Sequence, residues 1–350
     1  MARRKAQVNE SRPYGAVFLS ARLCLANAHK MRYHNCMDLQ CLLWLQDIRM
    51  GHGQFIENLL CFISDTPIYF IVVLALLYSI LDKKKFSNAL FCYIICSTLN
   101  AFVKITACVY RPWIKEPRIV PAKKSLGSAT GYSFPSGHTS CAASCSLGVV
   151  SQYKDNKVLV ILLAIYTLIV AFSRCYLSCH TPQDVLVGLV EAAVALAAAS
   201  ALAKFIQKKE GNDKVVFVGT TILFAALFAY IFIKPYPIDL DAAANVLVDP
   251  KKMQQDAVFD FAFAIGFIHA WFLERRFIKF STDKLDAKKR AVRLLVVSAL
   301  ALIISLALYP AAKALFDKRL AKFIDGYLLP FSSVFIGPMI FSKIERALKW

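Results

Sequence analysis

The sequence contains few charged residues for its length. Only 19% of its 350 residues are Asp, Glu, Lys or Arg, whereas about a quarter is usual in soluble domains. Hydrophobic residues account for 58%. This apolar content, at this length, excludes a disordered chain, a collagen and a small disulfide-stapled fold, and it argues against a soluble globular protein.

Acidic residues are scarce relative to basic ones. The chain has 42 Lys and Arg against 23 Asp and Glu, which gives a net charge of +19. The basic residues are spread over the segments between apolar runs and no recognition motif accompanies them, so we expect no nucleic-acid partner. In so apolar a chain they indicate loops that face an anionic membrane leaflet.

Cysteines are absent after Cys179, and none of the eleven follows a zinc-binding spacing. Most of them lie in or beside apolar runs, where a small apolar packing role is expected. Cys175 and Cys179 are four residues apart in a polar segment, and a disulfide or redox role stays open for this pair.

Long apolar runs recur along the chain, and they are too uniformly apolar for the strands of a membrane β-barrel. Because such runs cross a bilayer as helices, we predict an all-α integral membrane protein. The predicted spans, defined to within a few residues, are 67–81, 86–103, 138–150, 158–172, 185–206, 215–233, 257–273, 291–309 and 327–341.

The amino-terminal region differs from the rest of the chain. Residues 1–36 carry seven Lys or Arg and one acid, and they loosely imitate a signal peptide that Arg22 interrupts. We expect an unstructured or artefactual leader, with Met37 as an alternative start. Residues 37–49 predict an interfacial amphipathic helix or, alternatively, a short first span continued by residues 55–63.

Basic residues are distributed unevenly between the two sets of loops. If the Met37 end is called side A, the loops on side B contain residues 83–85, 154–157, 204–214 and 275–290, the last with seven basic residues. The positive-inside rule therefore places side B in the cytoplasm and side A outside. Basic residues on side A, including those of the leader, reduce this bias.

Three polar clusters lie at predicted span ends, and all three are on side A. In the first, Lys104 and Arg111 are seven residues apart, so on one helix they would share nearly the same face and could bind one anion. Pro112 would end that helix just beyond them. The alternative is that Lys104 and Arg111 only anchor the span at the membrane surface.

The second cluster is Tyr132-Ser-Phe-Pro-Ser-Gly-His-Thr139, a loop that enters a helix of small residues. Gly137 allows the backbone to approach a ligand, and the free N–H groups of the first helical turn favour an anion. His138 lies where a proton could be delivered. The alternative is a plain turn capped by Ser136 or Thr139.

The third cluster is Ser173-Arg-Cys-Tyr-Leu-Ser-Cys-His-Thr-Pro-Gln-Asp184. Thr181 and Pro182 fit the cap and the first position of a helix, which places His180 and Asp184 near its start. Asp184 could accept the proton of one imidazole nitrogen of His180 and leave the other nucleophilic. It could equally be the capping-box acid for Thr181.

Together the clusters indicate a phosphate site. Lys104, Arg111, Arg174, Ser136 and a helix N-terminus all favour phosphate. Ionisable residues at membrane depth are costly, so they indicate function. The two histidines supply a nucleophile and an acid.

These clusters resemble the three signature motifs of the type 2 phosphatidic acid phosphatase superfamily, over about residues 60–205. The matching positions are Lys104-x6-Arg111-Pro112, Pro135-Ser136-Gly137-His138 and Ser173-Arg174-x5-His180-x3-Asp184.

The resemblance implies a phosphatase that needs no metal and no cofactor and forms a phosphohistidine intermediate. It implies that His180 attacks phosphorus, that Asp184 orients His180, and that His138 protonates the leaving alkoxide and then activates water. The phosphate-binding residues that it implies are Lys104, Arg111, Ser136, Gly137 and Arg174.

The resemblance also implies a six-helix-type phosphatase core, in residues 37–206, followed by three to four additional transmembrane helices in residues 207–350. Few spans before the first motif and several after the last are similar to the sphingosine-1-phosphate phosphatase-like branch. Compact loops suit a bacterial chain. With the loop charges, they predict a bacterial cell membrane and an active site that faces outward.

The leading hypothesis is hydrolysis of a phosphomonoester or diphosphate of a membrane lipid. Candidate substrates are phosphatidic acid, phosphatidylglycerophosphate, undecaprenyl diphosphate and sphingoid-base phosphates. One alternative is a phosphotransferase that passes the phosphoryl group to a lipid or sugar; the other is a non-catalytic transporter or scaffold, against which the complete motifs argue. Asp256, Asp260, His269 and Glu274 suggest either a second polar site or the edge of a supporting bundle.

Overall fold

The computed structural model describes residues 37–51 and 53–350, and these residues form mainly helices. The leader expected in residues 1–36 lies outside the described residues. Numbered in chain order, the α-helices are α1 Met37–Gly51, α2 Gln54–Asp65, α3 Pro67–Ile80, α4 Lys83–Ala107, α5 Pro112–Lys115, α6 Gly137–Gln152, α7 Lys157–Tyr176, α8 Pro182–Lys208, α9 Asn212–Ile233, α10 Pro250–Leu273, α11 Ala287–Ile303, α12 Tyr309–Leu315, α13 Lys318–Phe331 and α14 Gly337–Ala347.

Shorter helical turns complete the described chain. A 3₁₀ helix covers Lys123–Ser128. Three π-helical turns extend or join the carboxyl-terminal helices, and they are Glu274–Ile278, Ile304–Leu308 and Ser332–Ile336.

The described chain contains eight helical stretches that are long and apolar enough to cross a membrane. Four of these stretches precede residue 210 and four follow it. The remaining predicted span, 138–150, lies in the 16-residue helix α6 and is not among the eight. The prediction of an all-α integral membrane protein is confirmed. The eight stretches are Gln54–Ile80, Lys83–Lys115, Lys157–Tyr176, Pro182–Lys208, Asn212–Ile233, Pro250–Ile278, Ala287–Leu315 and Lys318–Ala347.

The segment 37–49 forms a separate helix, α1. Three of its leucines belong to a buried apolar cluster with Ile119 and Ala171. Residues 55–63 lie in α2, which runs through Thr66 into α3 as one 27-residue stretch. The alternative in which residues 55–63 continue a first span from α1 is therefore wrong, and an interfacial position for α1 stays a prediction.

The carboxyl-terminal helices pack directly on the amino-terminal ones. Helices α4, α6 and α8 contact one another, and α10 packs on α4, α9 and α13. Phe91 on α4 meets the rings of Phe267 and Trp271 on α10 edge-to-face, at centroid distances of 5.2 and 5.1 Å. A Cβ at Gly266 would lie 2.5 Å from the carbonyl oxygen of Tyr327, so glycine is what allows α10 to approach α13 this closely.

The polar residues of the carboxyl-terminal helices have separate partners. His269 on α10 lies 3.0 Å from the hydroxyl of Thr221 on α9 and 3.1 Å from the hydroxyl of Tyr327 on α13. Asp256 and Glu274 each pair with a lysine. The contacts of His269 and Glu274 connect helices, whereas Asp256 pairs with Lys252 within α10. The structure does not gather these three side chains into one polar site.

The described cysteines are all free thiols, including Cys175 and Cys179. Cys175 lies in the apolar cluster around α1, whereas the thiol of Cys179 is 3.0 Å from the hydroxyl of Ser125. The two thiols therefore have different neighbours, and neither of them forms a disulfide in the structure.

The loops collect at two ends of the helical bundle. At the motif end, the hydroxyl of Tyr110 donates to Asp239 at 2.6 Å; at the opposite end, the N–H of Lys83 donates to the hydroxyl of Thr282 at 3.2 Å. The loops of the motif end are 108–136, 177–181 and 234–249, and those of the opposite end are 81–82, 153–156, 209–211 and 279–286.

Candidate active site

The amino terminus of α6 forms the floor of the candidate site. Ser136 occupies the N-cap position without a side-chain cap bond, and its hydroxyl instead lies 2.9 Å from that of Thr139. The Ser136 N–H donates to the carbonyl oxygen of Asp184 at 3.0 Å. A Cβ at Gly188 would lie 2.9 Å from the Ser136 carbonyl oxygen, so this glycine allows α8 to approach α6. The first turn of α6, with its free N–H groups, therefore lies beside α8.

His180 is buried in the loop between α7 and α8. Its Nδ1 lies 3.4 Å from Oδ2 of Asp184, and its Nε2 lies 3.0 Å from Nη1 of Arg111. A guanidinium group only donates hydrogen bonds. Nε2 must therefore be the acceptor, and the imidazole proton belongs on Nδ1, toward Asp184.

The surroundings keep the imidazole of His180 neutral. Burial lowers the pKa of His180 well below its ordinary value, the nearby charges of Arg111 and Arg174 lower it further, and Asp184 opposes this shift. A neutral imidazole retains the lone pair on Nε2 that a nucleophile requires.

Asp184 makes both of the contacts that the sequence left open. It forms a capping box with Thr181, whose N–H donates to Oδ2 at 3.0 Å, while the same carboxylate faces His180. The hydroxyl of Ser133 also donates to Oδ2, at 2.5 Å. Asp184 is thus held in a fixed orientation beside His180.

Arg111 connects the three motifs. Its guanidinium donates to the carbonyl oxygens of Gly131, Thr130 and Cys179 at 3.1, 2.9 and 2.9 Å, in addition to its contact with His180. Most of its donors are therefore used to hold the second and third motifs together. One Nη1 bond fixes the position of the His180 ring.

The expectation that Lys104 and Arg111 share one face of a helix is wrong. Helix α4 ends at Ala107, because Cys108 adopts a left-handed conformation with φ of 49°. The Cys108 N–H donates to the carbonyl oxygen of Lys104. Pro112 begins the short helix α5 and does not end α4. The Lys104 ammonium group still reaches the second motif, where it donates to the Pro135 carbonyl oxygen at 2.5 Å.

Arg174 lies at the last turn of α7 with its side chain fully buried. Its Nη1 donates to the hydroxyl of Ser64 at 2.6 Å. Its Nε and Nη2 have no hydrogen-bond partner among the described residues. Buried guanidinium donors without partners are costly, and an anion is the kind of group that would satisfy this pair of nitrogens.

His138 lies in the first turn of α6 and is half-buried. Its Nε2 is 3.4 Å from Oδ1 of Asp65, at the end of α2. This histidine thus has its own carboxylate partner, as His180 has Asp184. Gly137, beside it, lies next to Asn100, whose Oδ1 would be 3.5 Å from a Cβ at that position.

A buried polar pair lies beneath the floor of the site. The amide of Asn100 on α4 donates to Oε2 of Glu191 on α8 at 2.7 Å, and Oε1 of Glu191 has no partner among the described residues. Glu191 follows Asp184 by two helical turns. A polar pair at this depth connects α4 and α8 directly below the first turn of α6.

Several residues of this arrangement were not predicted from the sequence. The sequence contained a signal for Ser64 and Asp65, because these polar residues interrupt the apolar sequence between 55–63 and 67–81. Glu191 likewise stands out as an acid within an apolar helix. No site role was predicted from the sequence for Ser64, Asp65, Asn100, Ser133 and Glu191, although Ser133 lies within the second cluster.

Within residues 37–51 and 53–350, no group of three or more His, Cys, Asp or Glu side chains is arranged to hold a metal ion. Independence from metal stays a prediction. The motif end contains three cationic side chains, Lys104, Arg111 and Arg174, and the carboxylates of Asp65 and Asp184 each face a histidine.

Comparison with protein families gives two matches. A model described as the PAP2 superfamily matches residues 85–208, and a model described as PAP2 superfamily phosphatase, transmembrane extension, matches residues 260–349. Comparison with curated proteins and with solved structures gave no match. Neither family model identifies a sphingosine-1-phosphate phosphatase-like branch, so the similarity to that branch stays a prediction.

The two family matches together cover more than half of the chain, and they fall on the two halves that the structure packs together. The first match contains all three motifs. The second begins within α10, the helix that packs on α4. The chain belongs to the PAP2 superfamily and is an integral membrane phosphatase, a hydrolase of phosphoric esters.

Proposed function

We propose that this phosphatase hydrolyses the phosphomonoester or diphosphate of a membrane lipid through a phosphohistidine at His180. The catalytic core would be residues 37–206, and residues 207–350 would support it. The observation that carries the proposal is the buried guanidinium of Arg174, whose Nε and Nη2 lack partners in the described chain. Two parallel N–H donors match two oxygens of a phosphoryl group.

The phosphoryl oxygens would be held at the motif end. Arg174 would bind two of them, and the N–H groups of Gly137 and the first turn of α6 would bind others. Ser136 and the ammonium group of Lys104 lie at the same turn and add a hydroxyl donor and positive charge. Because phosphoryl transfer requires mainly charge stabilisation, fixed cations and a helix N-terminus supply what a metal would otherwise provide.

In the first step, Nε2 of His180 would form a bond to phosphorus while the bond from phosphorus to the leaving oxygen breaks. Protonated His138 would give its proton to that oxygen. Arg111 occupies Nε2 at 3.0 Å, so a phosphoryl oxygen must take over this donor when the substrate binds. Asp184 would stabilise the positive imidazole through the Nδ1 proton.

In the second step, neutral His138 would take a proton from water, and the resulting hydroxide would attack phosphorus. The bond from phosphorus to Nε2 would break and release inorganic phosphate. Asp65 lies 3.4 Å from Nε2 of His138 and would orient that ring. His180, paired with Asp184, would thus act as the nucleophile, and His138, paired with Asp65, would act as the acid and the base.

The lipid class follows from the position of the site. The site lies at one end of a bundle of membrane-spanning helices, so a substrate with a phosphate at the surface and its tail in the bilayer fits it. Phosphatidic acid, phosphatidylglycerophosphate, undecaprenyl diphosphate and sphingoid-base phosphates share this form. The loop charges support a site that faces outward from a bacterial cell membrane.

The test is phosphate release from these four lipids by the purified full chain in detergent, with EDTA present and His180→Ala as the control. We expect release from at least one lipid, no inhibition by EDTA, and no release by the variant. Release that EDTA stops and magnesium restores, or that persists in the variant, would overturn the proposal. Labelled phosphate that moves to an added lipid or sugar acceptor would show phosphotransfer in place of hydrolysis.

A further inference from the structure

The opposite end of the bundle contains a cavity that the phosphatase reaction does not use. Its volume is about 450 Å³. Its walls come from both halves of the molecule: the start of α4, the end of α8 and the π-helical turn after α10. Five basic residues line this basic cavity, namely Lys83, Lys209, Arg275, Arg276 and Lys279.

The positive charge of the basic cavity is only partly neutralised. Lys83 pairs with the buried Glu274 at 2.6 Å. Glu210 and Asp213 also line the cavity. Lys209, Arg276 and Lys279 form no ion pair within the described part of the chain. The cavity therefore keeps an excess of unpaired cations on walls from two different parts of the chain.

An adjoining cavity of about 690 Å³ is partly apolar. It shares Lys83 and Arg275 with the basic cavity, and its walls include Phe91, Ile206 and Trp271. The guanidinium of Arg275 lies 4.9 Å from the ring centre of Trp271. A basic pocket thus continues into an apolar groove between helices.

We propose that the basic cavity binds the phosphate headgroup of an anionic phospholipid, with part of the lipid lying in the adjoining groove. Basic pockets between transmembrane helices, on the side rich in Lys and Arg, suit such headgroups. Lys209 on one wall, and Arg276 and Lys279 on the other, supply charge-assisted donors. The apolar wall favours a lipid over free phosphate, because free phosphate has no apolar part to bury.

The bound lipid would connect the catalytic core to the carboxyl-terminal helices. Lys209 directly follows α8, where the region matched by the PAP2 model ends, whereas Arg276 and Lys279 lie in the transmembrane extension. A ligand that contacts both parts only in the folded protein stabilises that arrangement, and the stabilisation grows as the ligand concentration rises above its Kd.

The experiment compares the full chain with two triple variants in neutral detergent. The cavity variant is Lys209→Gln, Arg276→Gln and Lys279→Gln; the control variant is Lys288→Gln, Lys289→Gln and Arg290→Gln. Both remove three positive charges at the same end, and the control residues do not line the cavity. Native mass spectrometry counts bound phosphatidylglycerol, and phosphatidylcholine with the same tails serves as the neutral comparison.

We expect a retained phosphatidylglycerol adduct with at least ten-fold preference over phosphatidylcholine. The cavity variant should weaken this adduct about ten-fold or more, while the control variant stays within about two-fold of the unmodified chain. Phosphatidylglycerol should also raise the thermal unfolding midpoint of the unmodified chain and of the control, but not that of the cavity variant.

Three results would overturn the proposal. Equal weakening in both variants would show diffuse surface charge, and an absent preference for phosphatidylglycerol would show no site. Millimolar inorganic phosphate that raises the unfolding midpoint as much as the lipid, through the same three residues, would show an anion site and no lipid site. Phosphate release by the cavity variant, within about two-fold of the unmodified chain, verifies that it is folded.

Discussion

His269, within a membrane-spanning helix, and His180, in a loop at the motif end, show how differently this molecule uses the same side chain. His269 has a hydroxyl partner at each ring nitrogen, one from α9 and one from α13. His180 lies against Arg111 and Asp184, and next to it Arg174 keeps two buried nitrogens without partners. The polar groups around His269 satisfy one another, whereas those around His180 leave donors free.

Under the proposed function, this difference separates a structural role for His269 from a chemical role for His180. A satisfied buried group connects helices and needs nothing further. An unsatisfied buried cation costs folding free energy unless a ligand compensates it. The residues around His180 therefore carry a cost that a bound phosphate would offset under the proposed function, whereas those around His269 have partners within the fold.

The largest expected effect is the difference in phosphate release between variants of the two histidines. His180→Ala removes the nucleophile and should reduce phosphate release at least about 10³-fold. His269→Gln removes hydrogen bonds between helices and should keep release within about three-fold, while stability falls by about 1 kcal/mol. Release assays and thermal unfolding on both variants measure this. Similar losses of activity in the two variants would remove the distinction.

The next effect concerns the free donors of Arg174. Arg174→Lys keeps the charge but loses the paired N–H groups, and it should lower kcat/KM about 100-fold, from the loss of two charge-assisted hydrogen bonds. The unfolding midpoint should stay equal or rise, since two unsatisfied donors are removed. A variant that is as active as the original chain would show that these nitrogens do not bind the phosphate.

The role of His138 predicts a dependence on the leaving group. His138→Ala should cost about 10²- to 10⁴-fold with a lipid alkoxide, which must be protonated as it leaves. The loss should be smaller with a phenolic phosphate such as p-nitrophenyl phosphate, whose leaving group is stable without a proton. Equal losses with both kinds of substrate would argue against an acid role for His138.

The smallest effect is a pH dependence of stability. Because the pKa of His180 is lowered well below 6.5 in the folded chain, the unfolded chain takes up a proton below about pH 6.5 that the folded chain does not. Stability is therefore complete above that pH and falls as the pH drops, by about 1.4 kcal/mol per unit until the folded pKa is reached.

His180→Asn cannot take up this proton, and it serves as the matched control. Between pH 7.5 and 5.5, the unfolding midpoint of the original chain should fall further than that of His180→Asn. Parallel curves for the two proteins would show that the pKa of His180 is not lowered by folding.

The helices and the clustering of the motifs followed from the sequence because both depend on local patterns. Apolar runs specify spans wherever they lie, and the spacing of His180 and Asp184 fits one turn of a helix that Thr181 caps. The prediction that Lys104 and Arg111 share one helix face was wrong because it assumed a continuous helix. Cys108 ends α4 between the two residues.

The partners of the motif residues could not be predicted, because they lie far away in the sequence. Ser64 meets Arg174 only after α2 packs beside α7, and Asp65 meets His138 only after α3, which continues α2, packs beside α6. Ser133 precedes its partner Asp184 by 51 residues. Such pairs depend on how helices dock, which no local pattern in one sequence specifies.

The most direct test of the account is to trap the phosphoryl group. The full chain is mixed with its best lipid substrate, labelled in the phosphate, quenched in alkali within the first turnover, and mapped by peptide mass spectrometry. The account predicts a phosphoryl group on His180 that survives alkali and is lost in acid, and that is absent from His180→Ala. A phosphoryl group on any other residue would contradict it, as would phosphate release in a single turnover without one.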